Sequence, residues 1–208
     1  MHKEKGRTMR MIRALLPAVL GMTALTSTPA LAEGTTGLAL VEAAATLTPG
    51  KYLWEEDVAA GPVSILVSIP DQKAYVYRGE KLVAVSTVST GKEGNETPVG
   101  MFTILQKKEM HHSNLYENAP MPFMQRLTWD GVAIHAGKNP GFPASHGCIR
   151  VPASFAKKLF AATQMGATVE VTDISYSGDT PAPRSDAQQT ASANAATTKD
   201  LGTFLASR

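Results

Sequence analysis

The stretch HAGKNPGFPASHGCIR at 135–150 gathers two of the five histidines of the chain, its only cysteine and an arginine. A cysteine nucleophile needs an imidazole to take its proton, and such a pair is expected to persist partly as thiolate and imidazolium. It also needs a group to orient the imidazole, amide donors for a developing oxyanion, and room for a substrate. His135 and His146 are the imidazoles at hand. Gly147, just before Cys148, permits close backbone approach and unusual torsions, so the amides at 147–148 could face a substrate carbonyl. The competing reading makes Cys148 a small core residue, as free cysteines commonly are. Polar groups on a Gly/Pro-rich loop are poor core material, which favours the chemical reading.

A lone thiol can form neither an internal disulfide nor half of a CxxC metal or redox pair. The other histidine pair, His111-His112, carries adjacent side chains that point in different directions on a strand. No third ligand sits at a metal spacing from it, so no metal site is expected.

The elements around these residues follow from periodicity. Val63, Ile65, Val67 and Ile69 alternate with Ser64, Leu66 and Ser68, a strand pattern. Ala74–Arg78 and Leu82–Ser89, joined by Gly79-Glu80-Lys81, read as a hairpin. The loop TGKEGNETPVG (90–100) precedes a strand at 101–105, and residues 107–128 read as irregular, with Pro120 and Pro122 flanking Met121. A short strand at 131–135 leads into the chemical loop. ASFAKKLFAAT after Pro152 predicts a helix of about three turns, closed by Gly166 and followed by a last strand at 168–172.

The 208 residues allow one ordinary domain plus extensions, with 43% hydrophobic residues to build its core. Residues 1–32 combine a basic head, the apolar run ALLPAVLGM (14–22) and Ala30-Leu31-Ala32, the pattern of a cleavable export signal. The alternative is an uncleaved anchor, but Pro17 and the threonines from Thr23 leave the run short of the ~20 apolar residues that span a bilayer. Cleavage after Ala32 removes five basic residues and one acidic one, turning the formal charge from +2 to −2. Neither value steers the protein to nucleic acid. Residues 33–61 read as a lead-in whose Tyr52-Leu53-Trp54 packs on the domain edge. Residues 62–174 form the domain, and 175–208, rich in Ala, Thr, Ser and Pro, read as a mostly disordered tail.

SHGCIR (145–150) preceded by IHAG (134–137) resembles the active-site signature of the L,D-transpeptidase catalytic domain, often called the YkuD domain. STGKEGNETPVGMFTI (89–104), WDGVAIHAG (129–137) and FPASH (142–146) extend the resemblance over about 63–173, in the manner of the exported Gram-negative branch. The nine residues between His135 and Ser145 make a shorter loop than in many relatives.

The resemblance implies a mainly β fold, a β-sandwich with one or two short helices. It implies Cys148 as nucleophile, His135 as base and then acid, and the Ala136 carbonyl as the group that orients His135. His146 and Gly147 belong to the oxyanion environment with Cys148, and Ser145 supports the loop. Arg150 suits a substrate carboxylate or fixes the motif as a structural fork. Met121, Phe123 and Met124 are expected to wall the substrate groove.

The implied reaction is acyl transfer on peptidoglycan stem peptides in the periplasm, with a thioester on Cys148, release of D-alanine and transfer to an amine. The acceptor would be a second stem peptide, a lipoprotein lysine or a free D-amino acid. No metal or organic cofactor is implied, no membrane-spanning segment is expected after signal cleavage, and the thiol is expected to be acylated by carbapenems. The alternatives are an L,D-carboxypeptidase with the same pair, and a wall-binding module with an inactive site.

Overall fold

The computed structural model describes residues 32–55, 60–114 and 118–184; the expected export signal lies almost wholly outside them. Among the described residues, ten strands form two sheets. The first has the order β1-β4-β3-β2-β10-β5, from Tyr52–Trp54, Lys81–Thr87, Lys73–Arg78, Val63–Ser68, Thr168–Thr172 and Gly100–Thr103. The second has the order β6-β7-β8-β9, from Gln106–Lys108, Met124–Arg126, Ala133–Ala136 and Ile149–Val151. Helix α1 (Ala32–Ala45) precedes β1, and α2 (Ala153–Ala162) follows β9.

The alternation in β2 explains the layering. Ile65 and Val67 point to one face, where they meet Val76, Ile134, Ile149, Val151 and the α2 residues Phe155 and Leu159 in one core. Leu66, between them, points to the other face and packs with Tyr75, Tyr77, Leu82 and Val85. Every residue of β2 is buried, because this second face is covered too. Leu40 and Ala44 of α1 and Ala182 of the C-terminal segment lie on it.

Two segments read as peripheral in the sequence are therefore part of the packed domain. The lead-in contains α1 and the edge strand β1, which pairs with β4 through Leu53↔Val85. The first ten residues of the expected disordered tail are also packed. Tyr176 stacks on Tyr75 at 3.8 Å and 13° between ring planes, and its amide donates to Asp71 Oδ2 at 2.7 Å. The Tyr77 hydroxyl donates to Thr180 O at 3.1 Å, and Arg184 pairs with Glu80 at 2.9 Å. Residues 185–208 lie outside the described residues.

The stretch 107–128 is also more regular than expected. β6 and β7 pair antiparallel through Lys107↔Gln125, and beyond them Met121 N–H donates to His111 O at 2.8 Å and Phe123 N–H to Glu109 O at 2.7 Å. The second sheet thus extends past its named strands as a two-stranded arm.

Candidate active site

β8 and β9 run parallel, with Ile134↔Ile149, His135↔Arg150 and Ala136↔Val151 in register. A parallel pair requires a long crossover, and residues 137–148 provide it. The distance in sequence between the first histidine and the cysteine is thus the length of that crossover. Ile134, Ala136, Ile149 and Val151 point into the core. By the two-residue period of strands, His135, Cys148 and Arg150 then share the opposite face. That face opens on a cavity of about 1310 Å³, lined by all three together with Met121, Met124, Ser145 and His146.

His135 is 7% exposed, and its Nδ1 lies 2.8 Å from Ala136 O. A carbonyl can only accept, so Nδ1 carries the proton and Nε2 keeps its lone pair. Burial lowers the His135 pKa, the Ala136 hydrogen bond acts in the opposite direction, and the charges of Arg150 and His111 lower it further. Burial raises the pKa of Cys148, against the smaller influences of the Ala133 backbone, Arg150 and Arg126. The thiol packs with Met121, Met124 and Ala133 and donates to Gly131 O at 3.5 Å. Both shifts act toward the uncharged groups, against the direction of the expected partial thiolate and imidazolium.

The backbone around Cys148 is held by a network from a distant loop. Ser145 Oγ donates to Cys148 O at 2.5 Å and accepts from Gly147 N–H at 3.1 Å. Thr97 Oγ1 donates to Gly147 O at 2.9 Å and accepts from Gly91 N–H at 2.8 Å. Ser145 N–H donates to Thr90 O, and Lys92 N–H donates to Ser145 O, both at 3.0 Å. Gln72 holds Thr90 in turn, accepting its amide at 3.0 Å and donating to its hydroxyl at 2.7 Å. Gly147 has φ +107°, a conformation that L side chains avoid. Gly91 is needed for a different reason: a Cβ there would sit 2.0 Å from Asn95 O.

The sequence reading thus meets the structure unevenly. Ser145 lies where a support for the loop should be. His146 is exposed at the cavity rim. The Gly147 amide is taken by Ser145 Oγ, so it does not point to a substrate oxygen as expected; the Cys148 amide is the one to consider. Met121 and Met124 line the cavity, but Phe123 does not. Phe123 adopts φ +55°, which breaks the strand alternation, and its ring packs 5.9 Å from that of Phe160. Arg150 lines the cavity, and its stem passes over Gly137, where a Cβ would come within 3.0 Å of Arg150 Cγ.

His111 lines the cavity and His112 does not. Among the described residues, no group of three or more His, Cys, Asp or Glu could hold a metal ion. Thr97, Thr90 and Gln72 are the positioning residues that the motif itself did not reveal. The signal for Thr90 and Thr97 was the Ser-Thr-Gly-Lys…Thr-Pro segment, whose partner across the fold is not written in its residues, and Gln72 had no signal of its own. Arg126, Asp130 and Lys138 add charge to the cavity wall, with no spacing pattern to announce them.

A buried imidazole with Nδ1 held by a carbonyl, a half-buried thiol on the same face and a large open cavity on a two-sheet β fold define a candidate cysteine acyl-transfer site. The family model of the L,D-transpeptidase catalytic domain, YkuD, matches residues 62–171, more than half of the chain. The chain belongs to that family. The L,D-transpeptidase from Stackebrandtia nassauensis is similar in structure, with 26% identity over 65% of this chain and 65% of that one and a TM-score of 0.51. The L,D-transpeptidase from Mycobacterium smegmatis matches at 22% identity over 53% of this chain and 58% of its own, TM-score 0.50. The L,D-transpeptidase LdtMt1 in complex with imipenem matches at 24% over 53% and 58%, TM-score 0.50. The chain thus spans 58% to 65% of the length of these relatives. No curated protein matches it significantly.

Proposed function

We propose that the protein is a periplasmic L,D-transpeptidase of the exported Gram-negative branch that works on peptidoglycan stem peptides through a thioester on Cys148. The observation that carries the reading is the Ala136 carbonyl on His135 Nδ1, which leaves Nε2 as a base on the face it shares with the only thiol. Nε2 takes the Sγ proton as Sγ attacks the carbonyl at the L-centre of the diamino acid. The Cys148 amide faces the oxyanion. Collapse expels the amine of D-alanine, which takes the proton back from Nε2. An acceptor amine then attacks the thioester, gives its proton to Nε2, and the thiol is restored on release.

Charge supports the substrate class. Arg126, Lys138 and Arg150 outnumber the one carboxylate, Asp130, among the described cavity residues, which suits a peptide rich in carboxylates. Export rests on residues 1–32 alone. Acylation by carbapenems is part of the same proposal, since imipenem is bound in a structurally similar protein.

The test is incubation with tetrapeptide muropeptides, followed by mass spectrometry. Cross-linked dimers or exchanged D-amino acids are expected. Tripeptides alone would make the protein a carboxypeptidase, and wall binding without turnover would make it a binding module. Cys148→Ala should keep the fold and lose all turnover together with the carbapenem mass increase. Retained turnover in that variant would sink the mechanism.

A further inference from the structure

The loop that walls the cavity between His135 and Ser145 is tied to a segment lying before the family-matched region. Thr87, the last residue of β4, is 6% exposed. Its hydroxyl donates to Lys51 O at 3.0 Å and accepts from Gly50 N–H at 3.0 Å and from Asn139 Nδ2 at 3.1 Å. A hydroxyl has one proton and two lone pairs, and all three are used. Asn139 turns the loop by accepting from Gly141 N–H at 3.0 Å. At Gly141, φ is +95° and a Cβ would come within 2.5 Å of Pro49 Cγ, so the loop lies directly against Pro49. Further along, Ser89 Oγ donates to Phe142 O at 2.8 Å, and Ala144 N–H donates to Thr90 O at 3.0 Å.

The Thr87 and Asn139 contacts are distinct from those that hold the nucleophile, which run through Ser145, Gly147 and Thr97; the two sets meet at Thr90 O, which accepts from both Ala144 and Ser145. We propose that Thr87 is a positioning residue that couples the segment Pro49–Lys51 to the loop 137–144. The N-terminal segment thereby sets how firmly Gly137 and Lys138, both on the cavity wall, are presented to the donor peptide. The proposal rests on the peptidoglycan reading only for the choice of donor substrate.

Thr87→Val removes all three bonds at nearly constant shape, Thr87→Ser keeps them, and Asn139→Ala removes the loop side together with the Gly141 bond. Loss of one to two such bonds corresponds to about a five- to fiftyfold change in a local opening equilibrium. Amide exchange at Lys138, Asn139 and Phe142 should accelerate by that factor in Thr87→Val and Asn139→Ala, and stay near wild type in Thr87→Ser. KM for a tetrapeptide donor should rise in step while kcat changes less than about twofold. The alkylation rate of Cys148 by iodoacetamide should not change.

Unchanged loop exchange in Asn139→Ala overturns the proposal. So does Cys148 alkylation that shifts in parallel with KM, or a Thr87→Ser variant as impaired as Thr87→Val. Should Thr87→Val fail to fold, Asn139→Ala decides. A wild type without turnover refutes the peptidoglycan reading, and the exchange and alkylation measurements still decide the coupling.

Discussion

Thr97 tests most directly whether the Cys148 loop is held from the loop at 89–97. It is 3% exposed, and its one hydroxyl bridges Gly147 O and Gly91 N–H. Thr97→Val keeps the branched shape and removes both bonds. Each bond contributes about 1 kcal/mol net, and a buried group left without a partner costs about 1–3 kcal/mol. Gly91 and Gly147 are both buried, so relaxation can recover only part of the loss. The expected destabilisation is about 2–4 kcal/mol, against a total stability of roughly 5–15 kcal/mol. For a chain of this size that corresponds to a fall in Tm of about 5–15 °C.

Turnover should suffer more than stability alone explains. At temperatures where the variant remains folded, the Gly147 carbonyl is free to turn, and the Cys148 amide turns with it. Misplacement of that kind costs roughly 10- to 100-fold in kcat. Thr97→Ser keeps both bonds and loses one methyl group, so it should cost about 1 kcal/mol and leave kcat nearly intact. Calorimetry and muropeptide turnover on the same preparations give both numbers. If Thr97→Val keeps wild-type kcat, or if Thr97→Ser is as damaged as Thr97→Val, the network does not position the nucleophile.

Gly91→Ala, whose Cβ would collide with Asn95 O at 2.0 Å, should unfold the protein or abolish turnover, whereas Gly94→Ala, in open space at φ +77°, should cost only about 1–2 kcal/mol; equal thermal shifts in the two would refute the close-packing argument. The resting thiol, raised above its usual 9.0 by burial, should be alkylated by iodoacetamide with a midpoint above pH 9.0; a midpoint below pH 7 would mean a standing thiolate. Because a base must be unprotonated and His135 is lowered below 6.5, kcat/KM should rise with pH through a midpoint below 6.5 and then hold a plateau. Tyr176→Ala, which loses the stack on Tyr75, should cost about 1–2 kcal/mol in urea denaturation and leave kcat unchanged, since that cluster covers the opposite face of the first sheet.

What could be read in advance was whatever repeats at short range. The alternation from Val63 to Ser68 and the apolar face of α2 were visible because two or three neighbours suffice to define them. The motif at 145–150 was visible because its residue types are rare together. Helix α1 was hidden by Gly34, Gly37 and its threonines, and what holds it is Leu40 and Ala44 on a sheet face contributed by later strands. The segment after Ser175 has the composition of a disordered tail. One tyrosine anchors it nonetheless, because Tyr75, Tyr77 and Leu82 supply the other half of the packing. Phe123 was expected in the groove wall from the resemblance alone; its φ of +55° and its packing on Phe160 take it away from the cavity that Met121 and Met124 line. The engagement of the Gly147 amide depends on which way the Ser145 hydroxyl turns, and the Thr97 bridge joins positions fifty residues apart.

The same burial acts on both members of the pair, and the charge of Arg150 acts on them in opposite senses. Its charge favours a thiolate on Cys148 and disfavours an imidazolium on His135. On the ion pair as a whole the two influences oppose each other. They still do so when negative charge has moved from sulfur to a substrate oxygen, because His135 then carries the proton; a substrate carboxylate entering the cavity would offset the influence of Arg150 on the imidazolium. Burial acts toward the protonated form of the sole thiol, which oxidants attack less readily than the thiolate. Under the proposed mechanism, burial that slows the bare thiol acts together with a base that takes its proton during attack, and the Nδ1 bond to Ala136 keeps Nε2 available for that role.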